Sequence, residues 1–255
     1  MSVVSPKRSK GSSITRVLEI IEAISQAERP LFPFDLAVQL DIPKPSIHRL
    51  LQQLESEGFV QIDVHGSILA GDRTHAMAMG LWHNRQYKVE RLSILTKLTQ
   101  QIGETCGISI LDGMEMLYTD RVQTNWPLQI YLPHGSRVPI WCTASGKLWL
   151  SSLPTAKRQR ILKNLPLTPM TRNTLSTVPA LEAEINLVGQ SQLGTDNEEF
   201  IAGMVACSVP IFDQKQRLIA CLYTHAPTIR KSLDDLKQFE PDLKLAALAL
   251  SRLFE

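Results

Sequence analysis

The two prolines at positions 43 and 45 constrain the fold more than any other feature of this chain. They interrupt the stretch LAVQLDIPKPSIHRLLQQLESEGFV, in which apolar residues recur at helical spacing on both sides of IPKP. A proline inside a helix removes a hydrogen bond and clashes with the preceding turn, so one helix cannot run through this point. The sequence therefore predicts two helices joined by a sharp, stiff corner.

The segments on either side of this corner complete a small domain. Upstream, SSITRVLEIIEAISQAE has apolar residues at spacings of three and four, with Ser12 or Ser13 as the expected N-cap. The short helix FDLAVQLD precedes the corner, and a third helix is predicted to start near Pro45 or Ser46. Gly58 would end that helix, and FVQIDVHGSILA is predicted to form two short strands around a turn. The order helix, helix, corner, helix, hairpin predicts a winged helix-turn-helix.

The third helix is predicted to have an apolar side and a polar side. Its polar side would enter the major groove of DNA with the helix N-terminus leading. Arginine can bind guanine or a phosphate, glutamine can bind adenine, and serine and lysine can bind phosphates. The candidate DNA-binding residues, two of which come from the basic N-terminal segment, are Lys10, Arg16, Lys44, Ser46, His48, Arg49 and Gln52.

Net charge does not by itself support DNA binding. Residues 1–70 contain seven lysines and arginines against eight aspartates and glutamates, and all of these basic residues except Arg29 lie in the segment from Lys7 to Arg16 or at the corner and the start of the third helix. That basic segment could be an arm that follows a phosphate backbone or a minor groove, or it could be a solvated tail. The polar side of the third helix could likewise belong to a protein-interaction module.

Bulk composition limits the remaining classes. The 255 residues are 44% hydrophobic with a formal net charge of +2, which suits one large or two ordinary domains and excludes a generally basic protein. The sequence has no run of 18 apolar residues and no apolar signal core. The four cysteines are far apart without a CxxC motif. We therefore expect a cytoplasmic protein with reduced thiols.

Beyond residue 72, predicted strands and helices mix without strict alternation, which is typical of the α+β class. A helix is expected from Val89 to Ile102, followed by the strands CGISIL, MEMLYTDRV and LQIYL. Predicted helices cover TASGKLWLSSL, PTAKRQRILKNL and VPALEAEINLVGQS, and MVACSVPIFD and RLIACLYTHAP are predicted strands. The chain is expected to close in helix over SLDDLKQFEPDLKLAALALSRLF.

From about residue 13 to the end, these motifs resemble the IclR family of bacterial transcription regulators. ETCGISILDGMEMLYTDRV is similar to a strand-turn-strand segment of the family, and RVPIWCTASGK resembles its Arg-x-Pro-Leu-His-Ala-Thr-Ala-x-Gly-Lys stretch. GTDNEEFIAGMVACSVPIFD resembles its acidic loop and following strand. The resemblance implies a winged helix-turn-helix at 13–71, a linker helix at 72–88 and a GAF-like effector-binding and oligomerisation domain at 89–255. Composition predicts a flexible basic arm at 1–12 before them.

The same resemblance implies partners and a ligand site. Family members form homodimers, or dimers of dimers, on double-stranded operator DNA, and they bind a small organic acid or aromatic compound without a further cofactor. A helix N-terminus can hold a carboxylate, which adds Ser145 beside the family position at Ala144. Candidate effector-binding residues, most of which match family positions and with Trp141 added as an aromatic wall, are Trp141, Ala144, Ser145, Asp196, Ala206, Tyr223 and His225.

Several of these positions depart from the family pattern. Tyr223 and His225 stand where small hydroxyl residues are frequent, and Ala206 stands where a cysteine can occur. Trp141 and Cys142 replace the usual histidine and alanine. Larger side chains favour an aromatic or longer acid over the smallest family ligands. Trp141 could instead belong to the core, and His225 could simply end a strand.

Three other functions are weighed against an acid-controlled regulator. An enzyme with a cysteine nucleophile is disfavoured, because Cys207 and Cys221 lie among apolar strand residues. The sequence also shows no cysteine and general base at a spacing that indicates a catalytic pair. A redox- or metal-responsive regulator that uses cysteines of the C-terminal domain remains open. So does a DNA-binding protein without a ligand, if aromatic side chains fill the pocket.

Overall fold

The proline corner lies between two helices of a winged helix-turn-helix, as the sequence predicts. The structure is a computed structural model that describes residues 12–27, 29–82 and 85–254. The chain divides after residue 84 into a first and a second unit. The first unit contains α1 (Ser13–Ser25), α2 (Pro33–Leu40), α3 (Lys44–Ser56), β1 (Val60–Ile62), β2 (Ile68–Ala70) and α4 (Asp72–Trp82).

Local signals explain where the helices of the first unit begin and end. The Ser12 side chain accepts a hydrogen bond from the Thr15 N–H at the start of α1. α2 ends at Asp41, whose left-handed backbone turns the chain into the corner, and α3 begins at Lys44 with Pro45 in its first turn. The apolar sides of the helices meet in one core, whose fully or almost fully buried members include Ile20, Leu36, Ile47, Leu51 and Ile68.

The second unit is an α+β domain built on one antiparallel sheet of six strands in the order β5-β4-β3-β8-β7-β6. Its strands are β3 (Thr105–Asp112), β4 (Glu115–Val122), β5 (Arg137–Pro139), β6 (Gly194–Asn197), β7 (Met204–Phe212) and β8 (Leu218–Pro227). Its helices are α5 (Arg85–Ile102), α6 (Ala144–Ser151), α7 (Thr155–Leu162), α8 (Val178–Ser191), α9 (Leu233–Lys237) and α10 (Glu240–Ser251). A short 3₁₀ turn at Arg252–Phe254 follows.

The sheet has helices on both sides, and the alternation of strand side chains decides which residue faces which. On one side, the Ser208 hydroxyl lies 3.1 Å from that of Ser145 in α6, so we call this side the α6 face. On the other side, Arg91 of α5 forms a buried ion pair with Asp120 of β4 at 2.7 Å. We call that side the α5 face; α10 also packs against β7 and α5.

Two predictions for the second unit are wrong or incomplete. LQIYL forms no strand. Side chains bind backbone carbonyls of this segment instead, since Arg121 donates to Leu132 and Arg230 donates to Leu128. The edge of β4 pairs with β5 instead. The closing helix is broken into α9 and α10, since Pro241 can occupy only the first turn of a helix. Within the described ranges, no helix has the length and apolarity that a bilayer crossing requires.

Candidate functional sites

The exposed side of α3 carries most of the predicted DNA-binding residues. Its apolar stripe is buried in the core of the first unit, and this leaves His48, Arg49 and Gln52 exposed on the opposite side. Within the described part of the chain, Arg49 and Gln52 form no hydrogen bond or ion pair. Both side chains are therefore available to a partner that approaches this side.

The start of α3 is also accessible. Pro43 caps the helix through its carbonyl, which accepts from the N–H groups of Ser46 at 2.8 Å and Ile47 at 3.1 Å. The Lys44 ammonium lies 4.7 Å from the centre of the Phe34 ring, which positions a cation beside the helix N-terminus. Ser46 is half-buried, and because its N–H already donates to the Pro43 carbonyl, its hydroxyl is the donor left for a partner.

Most acidic groups of this unit already have internal partners. Glu55 accepts from the Ile62 N–H at the base of the hairpin, and Glu57 pairs with Arg73 at 2.9 Å. Asp35 pairs with Arg29 at 3.0 Å. The two ion pairs neutralise Asp35 and Glu57 without using Lys44 or Arg49 of α3. Of the remaining candidates, Arg16 lies half-buried on α1, whereas Lys10 lies outside the described residues.

The predicted effector residues of the sheet come together on the α6 face. Asp196 pairs with Ala206, and Ala206 pairs with His225, so that three strands place these residues in one row. Asp196 lies in β6 itself and not in the loop that the sequence indicated. Tyr223 follows in the next row, where its ring stacks on Tyr118 with centroids 4.4 Å apart.

Two glycines make this arrangement possible. Tyr223 lies across Gly107 of β3, and a Cβ atom at that position would meet the tyrosine oxygen at 2.5 Å. At the other end of the site, a Cβ on Gly194 would lie 2.1 Å from the Ala144 carbonyl oxygen, so β6 packs directly on the first turn of α6. Thr143 caps this turn by accepting from the Gly146 N–H at 3.3 Å.

The site is marked by buried polar atoms without partners. Eight buried side-chain nitrogen and oxygen atoms lack a hydrogen bond within the described chain, and five of them belong to Ser109, Asp196, Tyr223 and His225 on the α6 face. Native proteins leave few such groups unpaired, so a cluster of them calls for an explanation such as a bound ligand or water.

Burial also sets the protonation states of this cluster. It lowers the pKa of His225 to about 3, with smaller contributions from Arg121 and Arg230, so the imidazole is neutral at neutral pH. Burial, with a smaller contribution from the nearby Glu199 carboxylate, raises the pKa of Asp196 to about 7. The N–H groups of Glu199 and Phe200, which donate to Asp196, oppose this rise together with Lys147.

Two further side chains of the site have structural partners. The Trp141 indole N–H donates to the Thr168 carbonyl at 3.2 Å, and its ring belongs to the hydrophobic core of the second unit. Lys147 of α6 is fully buried and pairs with Glu199 at 2.5 Å and Glu184 at 3.3 Å. Lys147 therefore connects α6 with the loop after β6 and with α8.

The arrangement does not support a redox or metal site. All four cysteines are buried, and burial raises the thiol pKa of Cys106 to about 11 and those of Cys142 and Cys207 to about 12. Cys221 packs against Ser145 on the α6 face, whereas Cys106 and Cys207 point to the α5 face, so the sheet separates them. Within the described ranges, no three or more histidine, cysteine or acidic side chains form a metal-binding group.

Sequence patterns do not indicate Ser109, Tyr118 or Lys147 as residues of the site. Ser109 and Tyr118 share the α6 face with Tyr223 because β3 pairs with both β4 and β8. Alternation along each strand could have suggested their side, but the pairing register and the bulge between Ile108 and Ser109 are long-range features. The burial of Lys147 could not be predicted either, since a lysine in a predicted amphipathic helix is normally exposed.

Two family models match this chain. The model of the C-terminal domain of the bacterial transcriptional regulator IclR matches residues 83–252, and the IclR helix-turn-helix domain matches residues 13–63. A curated relative, "Probable transcriptional regulator SauR" of Cupriavidus necator, is 37% identical over 244 residues. That match covers 95% of this chain and 97% of the relative.

Solved structures share the fold over nearly the whole chain. The IclR protein of Thermotoga maritima aligns with a TM-score of 0.62 and 22% identity over 94% of this chain and 97% of that one. An IclR homolog from Microbacterium hydrocarbonoxydans, complexed with 4-hydroxybenzoate, aligns with a TM-score of 0.60 and 18% identity over 95% and 99% of the two chains. At these identities the structures support the fold and carry no information about this chain's ligand.

Proposed function

The chain belongs to the IclR family of bacterial transcriptional regulators, and from this premise we propose that an organic or aromatic acid controls its binding to operator DNA. Family membership makes it a helix-turn-helix DNA-binding regulator and not an enzyme. What we add is the control by an acid in the second unit, the residues at both sites, and action as a cytoplasmic homodimer or dimer of dimers.

On the DNA side, the exposed polar face of α3 is the reading surface. Arg49 would bind guanine or a phosphate and Gln52 would bind adenine, while Lys44, Ser46 and His48 would contact the backbone near the helix start. Unpaired, exposed side chains opposite a fully buried stripe support this assignment. Lys10 and Arg16 would add contacts to phosphates.

The test uses an operator selected by the wild-type protein from random duplexes. Each bidentate base contact is worth roughly 1–3 kcal/mol of discrimination, so Arg49→Ala with Gln52→Ala should reduce operator affinity to the level of unrelated DNA. Gln53→Ala is the matched control, because this exposed α3 side chain lies in a groove shared with α1 and not on the reading face. Normal operator binding by the double variant would show that α3 does not read the sequence.

The basic N-terminal segment makes a separate prediction. Replacement of Lys7, Arg8 and Lys10 by alanine should weaken binding to all sequences alike. The dependence of affinity on salt should also become shallower, by a slope of about one for each lost phosphate contact. Anisotropy titrations at several salt concentrations separate this effect from a loss of sequence recognition.

On the effector side, the cluster of unpartnered buried atoms carries the proposal. The first turn of α6, with Ala144 and Ser145, can bind the carboxylate of an acid, since backbone N–H groups and the helix dipole favour negative charge there. Neutral His225 and the Tyr223 hydroxyl can each hydrogen-bond a polar group on the ligand. The stacked rings of Tyr118 and Tyr223 favour an aromatic or longer acid, with Asp196, Ala206 and Trp141 completing the walls.

Thermal-shift measurements against catabolic acids and aromatics test this site. The panel includes 4-hydroxybenzoate, because the homolog from Microbacterium hydrocarbonoxydans was solved in complex with this compound. A ligand that binds the folded state raises the unfolding temperature by mass action, and Tyr223→Phe should lose that shift. Tyr131→Phe is the control, because Tyr131 is 67% exposed. Binding of two- or three-carbon acids alone would contradict an aromatic or longer ligand, and silence across the panel would favour a regulator without a ligand.

Control then follows from a two-state scheme. A dimer places two reading helices on a pseudopalindromic operator, and the acid binds one arrangement of the dimer more tightly than the other. The helix that links the two units transmits this preference to the spacing of the reading helices. No observation favours the redox- or metal-responsive alternative.

A further inference from the structure

A cavity apart from the effector site lies beside the C-terminal half of α5, where the chain leaves β4. Its volume is about 430 Å³, which falls within the range of small-molecule sites. Thr96 and Gln100 of α5 form one wall, and Gln123, Asn125 and Trp126 form the other. We call it the Trp126 cavity. It shares no lining residue with the effector site on the α6 face.

The segment that carries Trp126 is fixed by hydrogen bonds to the body of the second unit. The Thr124 N–H donates to the Thr105 hydroxyl at 3.2 Å, and the Thr124 hydroxyl donates to the Gly103 carbonyl at 2.9 Å. The Gln129 amide bridges the carbonyls of Thr124 and Trp126 at 2.7 and 2.5 Å. The wall is therefore in place before any ligand arrives, which lowers the entropic cost of binding.

The indole of Trp126 is exposed to solvent, and a neighbouring arginine fixes its position. Its side chain is 54% exposed, although tryptophan is among the residues that gain most from burial. The Arg230 guanidinium lies 5.5 Å from the ring centre, and this arginine is itself bound to Glu104 by two hydrogen bonds of 2.8 and 2.6 Å. A large aromatic surface kept exposed at the edge of a cavity is typical of a binding site.

The polar groups of the cavity define the class of ligand. None of its lining residues is ionisable, and the negative end of the α5 dipole points to the same region, which disfavours an anion. Within the described chain, the amides of Gln100 and Asn125 have no hydrogen-bond partner, so each offers a donor and an acceptor. A purely apolar ligand would desolvate these amides without replacing their hydrogen bonds.

We propose that the Trp126 cavity binds a neutral polyhydroxylated molecule of about monosaccharide size. The apolar C–H face of a sugar ring would lie on the indole, and its hydroxyl groups would exchange hydrogen bonds with Gln100, Gln123 and Asn125. Such a site would give the regulator a second input, chemically distinct from an acid on the α6 face. It does not depend on the effector proposal.

Calorimetric titration and saturation-transfer NMR with glucose, galactose, xylose, arabinose and glucuronate test this proposal on the full chain. At least one neutral sugar should bind saturably, and more tightly than glucuronate. Trp126→Ala should weaken that binding at least tenfold, Asn125→Ala should weaken it severalfold, and Trp126→Phe should retain most of it. Tyr131→Ala is the matched control, since this exposed aromatic residue lies in the same segment and outside the cavity.

Three results would overturn the proposal. They are the absence of saturable binding by every neutral sugar, binding that persists unchanged in Trp126→Ala, and tighter binding of glucuronate than of any neutral sugar. Because Trp126 is exposed, its substitution should leave the unfolding midpoint unchanged. That measurement confirms that a loss of binding reports on the cavity and not on the fold.

Discussion

The reading face of α3 and the effector site on the α6 face satisfy their polar groups in opposite ways. Within the residues that the structure describes, Arg49 and Gln52 have no hydrogen-bond partner and are exposed, so water completes their hydrogen bonds at no cost. Tyr223 and His225 are 2% and 3% exposed, and within the same residues they too carry polar atoms without a partner. A buried group of this kind costs about 1–3 kcal/mol.

This difference indicates how each site meets its ligand. The reading face can be complete before DNA arrives, because exposure makes its unpaired groups harmless. At the proposed effector site, a ligand would supply hydrogen bonds to these buried groups, and part of its binding free energy would come from pairing them. Substitutions on the reading face should therefore leave the stability of the first unit unchanged, whereas loss of a partner from a buried polar pair should lower the stability of the second unit.

The largest expected effect tests whether buried polar groups of the second unit carry substantial free energy. Lys147→Met removes the fully buried partner of Glu199 and leaves that carboxylate buried without its cation. The free energy of unfolding should fall by roughly 3–5 kcal/mol, as measured by urea denaturation. Lys157→Met, which replaces an exposed lysine of α7, should change it by less than about 0.5 kcal/mol. Equal stability of the two variants would contradict the expectation that buried polar groups of the second unit contribute substantially to its free energy of unfolding.

The next effect concerns pH. Asp196 has its pKa raised by burial to about 7 from 3.8, so the folded state binds this proton more tightly than the unfolded state. The resulting stability is fully present below pH 3.8 and is lost as the pH rises through about 7. At about 1.4 kcal/mol per pKa unit, the loss amounts to roughly 4 kcal/mol. Asp196→Asn should remove this dependence in urea denaturation at pH 5 and pH 8.

The contribution of His225 to stability changes with pH in the opposite direction to that of Asp196. His225 therefore serves as the control for the pH experiment. Its pKa is lowered by burial from 6.5 to about 3, so its contribution to stability is present above pH 6.5 and is lost as the pH falls toward 3. His225→Gln should therefore flatten the loss of stability on the acidic side of the profile, whereas Asp196→Asn should flatten the loss of stability toward neutral pH. Profiles that change in the same direction in both variants would contradict the assigned protonation states.

A smaller effect should separate the two sites. Arg49→Ala alone should cost roughly 1–3 kcal/mol in operator binding, whereas the free energy of unfolding should stay within about 0.5 kcal/mol of the wild-type value. Anisotropy titration and urea denaturation on the same preparation measure both quantities. A large loss of stability would mean that Arg49 packs within the fold and that the reading face is not free.

The two sites also differ in how far the sequence predicted them. The faces of α3 could be predicted because local rules set them: two prolines fix the corner, and helical periodicity separates Leu50 and Leu54 from Arg49. The α6 face depends on strand register, which joins residues as distant as Gly107 and Tyr223. Local patterns could also mislead, because the alternating LQIYL segment is held by arginine and glutamine side chains and not by a partner strand.

The smallest expected effect is the change in the free energy of unfolding that Tyr223→Phe causes, and its sign shows whether the hydroxyl has a partner. Tyr223→Phe removes a buried hydroxyl that has no partner and leaves the ring stacked on Tyr118. In the protein without ligand, the free energy of unfolding should stay unchanged or rise by up to about 1 kcal/mol, because an unpaired polar group is lost. Affinity for the acid effector should fall in the same variant, since the hydroxyl is needed only in the complex. A clear loss of stability without ligand would mean that the hydroxyl already has a partner. The contrast between unpaired buried groups at the effector site and hydrated groups on the reading face would then not hold for Tyr223.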